Sequence, residues 1–300
     1  LLGSIARGGV MIMLIILLQG IWLPLHHYSY TVTPFSAGIY MSPMLAGFII
    51  MGPISGWLSD RYGARGLSTG GMAIVATTFL LLYTLPYDFN YLVFAPMIFA
   101  QGIGMGMFAS PNTASIMNSV PPMHRGAASG MRATMQNAGQ TASIALFFVI
   151  IIEALHSSLP SALNSHLLSA GVPASLSSSI SKIPPTGALF AAFLGENPMA
   201  TLLSSYPHIT SLIGASVYST ITGSLWFPRV IAPPFMSSLQ LAFLISAVIA
   251  AVASVSSLLR GRIYIYDLEE GTDVSKQGAP AKKQAAEDRT RAAGEEKYLR

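Results

Sequence analysis

Asp60, Arg61 and Arg65 crowd three charges into six residues of the stretch GPISGWLSDRYGARG (Gly52 to Gly66), at the end of a segment otherwise uncharged from Gly8 onward. A carboxylate at a helix C-terminus opposes the partial negative charge of that end, so Asp60 seeks a positive partner, which Arg61 or Arg65 could supply locally. The same residues also read as plain topology marks, with Arg61 and Arg65 as cytoplasmic loop cations and Asp60 as a solvated loop charge. Gly52 and Gly56 are spaced to let a neighbouring helix approach the backbone, and Gly63 suits the tight turn of a short link.

A second polar group lies in the run GAASGMRATMQNAGQTAS. At 100° per residue Ser129, Arg132, Gln136, Gln140 and Ser143 share one helix face, within an arc of about 140° that the flanking Asn137 completes. Lipid offers such side chains no partners, so they face the interior of a bundle or a wet cavity. The stripe would line a substrate path with Arg132 near its mouth. The other reading has Arg132 snorkelling to head groups while the amides join helices. Gln19, Trp22 and Gln101 are further cavity candidates, although a Trp near a helix end also serves as an interfacial anchor. Gly102, Gly104 and Gly106 fall inside an apolar segment without the preceding strand that a phosphate loop requires, and predict close helix packing instead.

Covalent chemistry finds little support. His156, His166 and His208 lack metal-ligand spacing, no Ser/His/Asp arrangement is visible, and the chain has no cysteine, so no catalytic residue, metal site or cofactor is assigned. Proton coupling needs a buried carboxylate; Asp60, Asp88 and Glu196 fall at segment ends or in loops, and Glu153 near the outer end of its helix.

These residues must be positioned by membrane helices. Of the residues, 52% are hydrophobic and only 9% charged, and the mean hydropathy is +0.56, outside the range of a soluble domain. About 20 apolar residues cross a bilayer core, and six stretches qualify: 9–28, 36–58, 67–86, 91–111, 126–155 and 236–259. The 126–155 stretch exceeds one crossing and is expected to tilt or project. Arg7, Arg61, Arg65, Arg125, Arg260 and Arg262 fall on one side if the spans alternate. That side is expected to be cytoplasmic, as are both ends. The Ser-, Ala- and Pro-rich region 156–235 becomes an extracytoplasmic insertion of short interfacial helices. The tail 263–300, with eight acidic and seven basic residues from Asp267 onward, is expected to be a solvated cytoplasmic segment. The pI of 9.3 thus reflects loop cations rather than nucleic-acid binding. The domain expectation is a six-helix bundle over 1–262 followed by the tail.

The loop GWLSDRYGAR resembles the G-x-L-a-D-r-x-G-r-k signature of the major facilitator superfamily, on Gly56, Asp60, Arg61, Gly63 and Arg65. The stretch Gly102 to Gln140, with LLQGIWLPLHHYSY, is similar to the fourteen-helix drug:proton antiporter branch, the EmrB/QacA type. The resemblance implies an all-α multi-pass membrane protein, here the C-terminal six-helix half of a bundle whose halves hold substrate at the midplane. It further implies that Asp60 latches onto a helix of the absent N-terminal half and releases it during alternating access. By pseudosymmetry the helix start at Arg125 would receive the equivalent carboxylate of that half. The implied partners are an amphiphilic small-molecule substrate, protons as the coupling ion, the lipid bilayer of the cell membrane and the missing half. Multidrug efflux is the leading expectation. The alternatives are an organic acid or lipid-like solute carried by the same fold, or a truncated membrane scaffold that transports nothing.

Overall fold

A computed structural model describes residues 1–204 and 209–259. His208, Arg260, Arg262 and the 263–300 tail, with the expectations placed on them, lie outside the described residues. Apart from short turns and loops, the described residues are helical. α1 (Leu2–Leu17) passes through a π-helical turn (Leu18–Trp22) into α2 (Leu23–Leu25). α3 (Thr33–Tyr40) bends into α4 (Ser42–Tyr62), and α5 (Ala64–Tyr83), α6 (Tyr91–Asn118) and α7 (Arg125–Ser169) follow. Five short helices come next: α8 (Ala174–Ile180), α9 (Pro185–Leu194), α10 (Pro198–Ser204), α11 (Ile209–Ile213) and α12 (Ala215–Ile221). α13 (Trp226–Leu258) closes the described chain. Among the described residues six segments are long and apolar enough to cross a membrane, Leu2–Leu25, Thr33–Tyr62, Ala64–Tyr83, Tyr91–Asn118, Pro122–Ser169 and Trp226–Leu258, and the chain is a multi-pass membrane protein.

Local chemistry explains the punctuation. α4 ends at Gly63, whose φ of 86° suits a residue without Cβ, and its N–H donates to Ser59 O at 2.8 Å. Asn90 caps α6 by accepting from the Leu92 N–H at 2.9 Å. Pro24 has no N–H, and its ring would press on the carbonyl of Gly20; the π-helical widening just before it relieves that clash. The Pro121-Pro122 pair separates α6 from α7 through a single 3-10 turn, Pro122–His124.

Three helix ends depart from the expected bounds. The first helix begins at Leu2 rather than residue 9, which takes Arg7 into the helix instead of leaving it as a flanking loop cation. α6 continues seven residues beyond the expected end at 111, because Pro111 is accommodated inside it. α7 runs on to Ser169 rather than ending at 155. At 1.5 Å per residue its 45 residues span about 68 Å, more than twice the hydrocarbon core. Buried positions recur every four residues, at Gly139, Ser143, Phe147, Ile151, Leu155, Leu159, Leu163 and Leu167, a row that winds around the helix from one set of partners to the next. The last three of these pack the helix into a cap with the short helices, where Ser177 and Asn164 share a hydrogen bond at 2.5 Å. The region 156–235 is therefore the end of α7, a folded cap and the start of α13.

The long helices pair in a pattern with internal symmetry. α1 packs on α7 and α13, α6 packs on α4 and α5, and α5 packs on α13. Exchanging the first three spans for the last three converts each of these pairings into another or into itself. Two of the joints are built alike. At α4–α6 the Ser55 hydroxyl donates to Gly106 O at 2.9 Å, and Gly47 and Gly102 have no room for a Cβ against the opposite backbone. At α1–α7 the Ser143 hydroxyl enters the backbone of α1 beside Gly8 and Gly9. Gly104, on the other side of α6, lies against Gly71 of α5. The glycine run of α6 thus serves two helix contacts at once.

The cap closes one end of the bundle. Asn197 donates to Ile221 O at 2.7 Å and to Gly223 O at 2.8 Å, and Tyr30 in the loop after α2 reaches Ser224 O at 3.4 Å. Burial of the Tyr30 phenol pushes its pKa up to about 12, because the phenolate would lose its solvation.

Candidate functional site

At the end opposite the cap, a cavity of about 210 Å³ opens between α1, α4, α5, α6 and α7. Its lining mixes two kinds of side chain: Phe48, Met72, Val75, Met105 and Phe108 are apolar, and Ser4, Arg7, Asn112, Thr113, Arg132 and Gln136 are polar. A second cavity of about 330 Å³ adjoins it, shares Ser4, Asn112, Arg132 and Gln136, and continues towards Leu1 and the α6–α7 turn at Ser119. Mostly apolar walls with a few convergent polar groups are what a small-molecule site requires.

Arg132 is held rather than dangling. Its Nη1 donates to Thr113 Oγ1 at 3.2 Å and to Gln136 Oε1 at 3.0 Å, which ties α7 to α6. The Thr113 hydroxyl donates to Ala109 O at 2.8 Å, so its oxygen is oriented to accept. The Nε of Arg132 is buried without a partner among the described residues. A guanidinium fixed in this way suits recognition of an anionic acceptor.

The polar stripe of α7 is divided by the tertiary structure. Arg132 and Gln136 reach the cavity; Ser129, Asn137 and Gln140 are exposed outside it; Ser143 is fully buried against α1. The arc read from the helical period is thus too broad for one role. Gln19 and Trp22 lie in the π-helical turn, away from the cavity. The Gln19 amide donates to Phe193 O at 3.1 Å, and Trp22, only 4% exposed, donates to Phe89 O at 3.1 Å. Trp22 stacks on His26 at 3.9 Å and on Phe89 at 5.2 Å, so it faces the bundle and not the lipid. Gln101 is buried in α6 with its Oε1 unpartnered and does not line the cavity.

In the charged turn, Asp60, Arg61 and Arg65 are all exposed, and none forms an ion pair with a described residue. The local pairing open to Asp60 is therefore not formed; Arg61 lies instead over the Tyr62 ring at 5.8 Å. At Gly56 a Cβ would stand 2.9 Å from Ser110 Oγ, which is the close approach expected there. Gly52 differs, since the space at its Cβ is open, although its backbone N is met from Gly106.

Ser4, Arg7, Asn112 and Thr113 are cavity residues that sequence reasoning did not select. Arg7 read as a loop cation, and Asn112 and Thr113 fell beyond the assumed end of their helix. The available signal was spacing: Ser4 and Arg7 lie three apart on one face of α1. Among the described residues no group of three metal-ligating side chains occurs.

Residues 2–144 match the Major Facilitator Superfamily. Three curated relatives are the riboflavin transporter RibZ of Clostridioides difficile (strain 630), the uncharacterized transporter YebQ of Escherichia coli (strain K12) and the multidrug transporter protein MdtP of Bacillus subtilis (strain 168). RibZ is 28% identical over 38% of this chain and 27% of its own. YebQ is 34% identical over 38% of this chain and 25% of its own. MdtP is 25% identical over 74% of this chain and 38% of its own. The chain thus spans well under half the length of the curated relatives it matches.

Proposed function

We propose that the six helices, an all-α half of a major facilitator superfamily bundle as the match over residues 2–144 and the transporter relatives support, form the C-terminal half of a proton-driven exporter of amphiphilic small molecules. The observation that carries this reading is the mixed lining of the cavity. Arg132, pinned by Thr113 and Gln136, lines the same space as Met72, Met105 and Phe108, so one pocket meets both parts of an amphiphile. Binding and reorientation, with no bond made or broken, are the chemistry this lining performs.

In this reading the cavity end carries Arg61, Arg65 and Arg125 and is cytoplasmic, and the cap faces outward across the cell membrane. Asp60 is exposed and unpaired with any described residue, as a latch partner for another half would be, and lies in the last turn of α4 before Gly63. The fourteen-helix drug antiporter branch is the family placement within this reading, and the printed name of MdtP favours it. A second reading keeps the fold and changes the solute, since RibZ is named for riboflavin.

Efflux of a fluorescent amphiphile from cells producing the full-length protein tests the function. We expect export that a proton uncoupler abolishes, and export reduced at least about tenfold by Asp60→Asn at unchanged membrane insertion, a loss of about 1.4 kcal/mol in coupling. Export indifferent to the uncoupler would remove the proton-driven mechanism; unaltered export by Asp60→Asn would remove the latch.

A further inference from the structure

Two arginines line the same cavity. Arg7 enters from α1 and Arg132 from α7, in a space of about 210 Å³ whose other polar residues, Ser4, Asn112, Thr113 and Gln136, carry no charge. Each lies five to seven residues inside its helix, roughly 8–10 Å from the helix start at 1.5 Å per residue. The described region has four acidic residues, Asp60, Asp88, Glu153 and Glu196, all exposed, and none lines the cavity. Asp88 pairs with His26 at 3.5 Å. Arg7 is half-buried with neither a hydrogen bond nor an ion pair among the described residues, and the buried Nε of Arg132 is without a partner there.

Like charges brought together in a partly desolvated space repel, and charges taken into a membrane protein ordinarily pair with opposite ones. No carboxylate of the described chain meets this need. A ligand that brings its own negative group would meet it, and the apolar side chains would hold the rest of that ligand.

Resting on the transporter reading above, we propose that the cavity binds the anionic group of an organic anion, a carboxylate or a phosphate or sulfate ester, between Arg7 and Arg132, with its hydrocarbon part against Met72, Met105 and Phe108. Arg132 is the oriented partner, fixed through Thr113 and Gln136. Arg7, with no fixed hydrogen bond, follows the anion. The substrate class is thereby set by charge: acidic amphiphiles are selected over cationic ones. The same chemistry is available from a soluble organic anion and from the headgroup of an anionic lipid.

The test is binding of 2-naphthoate, compared with its cationic counterpart 2-naphthylmethylammonium, to the full-length protein in phosphatidylcholine nanodiscs. We expect at least tenfold preference for the anion. Arg7→Gln and Arg132→Gln should each weaken anion binding about tenfold, and Arg132→Lys should weaken it less. Helical circular dichroism of each variant checks folding, and the ratio of anion to cation binding stays informative even where the amount of folded protein falls. Nanodiscs containing phosphatidylglycerol distinguish the sources. Competition that vanishes in Arg132→Gln assigns the site to a lipid headgroup, and its absence assigns it to a soluble anion; both support the anion site. Equal binding of cation and anion, as would follow if a carboxylate from elsewhere in the protein neutralised the two arginines, overturns the proposal. So does anion binding indifferent to both glutamine variants. Failure of the transporter reading looks different: naphthoate bound through both arginines but never carried across a vesicle membrane keeps the anion site and removes transport.

Discussion

The hydroxyl of Ser143 on α7 stands at Gly9 of α1, accepting the Gly9 N–H at 2.8 Å and donating to Ile5 O at 2.6 Å. Ile5 and Gly9 are the acceptor and donor of a single helical turn, four residues apart, so a side chain from another helix bridges the ladder of α1. Gly9 makes the approach possible, since a Cβ there would lie 2.6 Å from Ser143 O. The contact places α1 against α7 and so determines how Arg7 and Arg132 come to share a cavity.

Two substitutions at this joint separate hydrogen bonding from packing. Ser143→Ala removes the bridge and should lower stability by about 1 kcal/mol, since the helix can partly close its own bond. Gly9→Ala forces the helices apart and should cost more, about 1–3 kcal/mol. Thermal unfolding of the two variants in detergent checks the order; a costlier Ser143→Ala would mean that the bridge, not the close approach, dominates.

The glycines of α4 and α6 make a paired comparison. A Cβ on Gly102 would run into Met44 O, whereas one on Gly52 meets nothing within 4 Å. Gly102→Ala should therefore lose about 1–3 kcal/mol, while Gly52→Ala should be neutral or gain up to about 1 kcal/mol from helix propensity. Denaturation midpoints of the two variants measured side by side decide this.

Because the chain has no cysteine, single cysteines report accessibility cleanly. Gln136→Cys, inside the cavity, should react with a hydrophilic thiol reagent and be slowed several-fold by a bound organic anion. Gln140→Cys, exposed outside it, should react at a rate the ligand leaves unchanged. Equal protection at both positions would place the ligand along the whole polar stripe instead.

Tyr30 ties the loop after α2 to the cap. With its pKa raised from 10.0 to about 12, the folded state prefers the neutral phenol. Its contribution to stability is complete below pH 10 and is lost as pH rises towards 12. The alkaline absorbance titration of the wild type minus that of Tyr30→Phe should show a group ionising near pH 12, and a midpoint near 10 would mean that the loop is open.

What could be read from the sequence is what depends on neighbours along the chain. Six apolar runs and the Pro121-Pro122 break mark the helices because solvation of a helix and loss of an N–H are decided locally. Gly63 likewise declares its turn, since a φ of 86° is unfavourable for other residues. The charged turn and the α7 polar stripe were visible for the same reason. What only the tertiary structure decided depends on residues far apart in the chain. Arg7 looked like a loop cation until α1 was laid on α7, and Thr113 like a loop residue until α6 was seen to run on past Pro111. α7 extends to Ser169 because the cap covers Leu159, Leu163 and Leu167, a partner that hydropathy alone cannot anticipate. Helical periodicity placed Ser129, Arg132, Gln136, Gln140 and Ser143 on one side of a cylinder. Which of them meets a cavity, which a neighbouring backbone and which the surroundings was settled by the other helices, since an environment belongs to the packing and not to the helix.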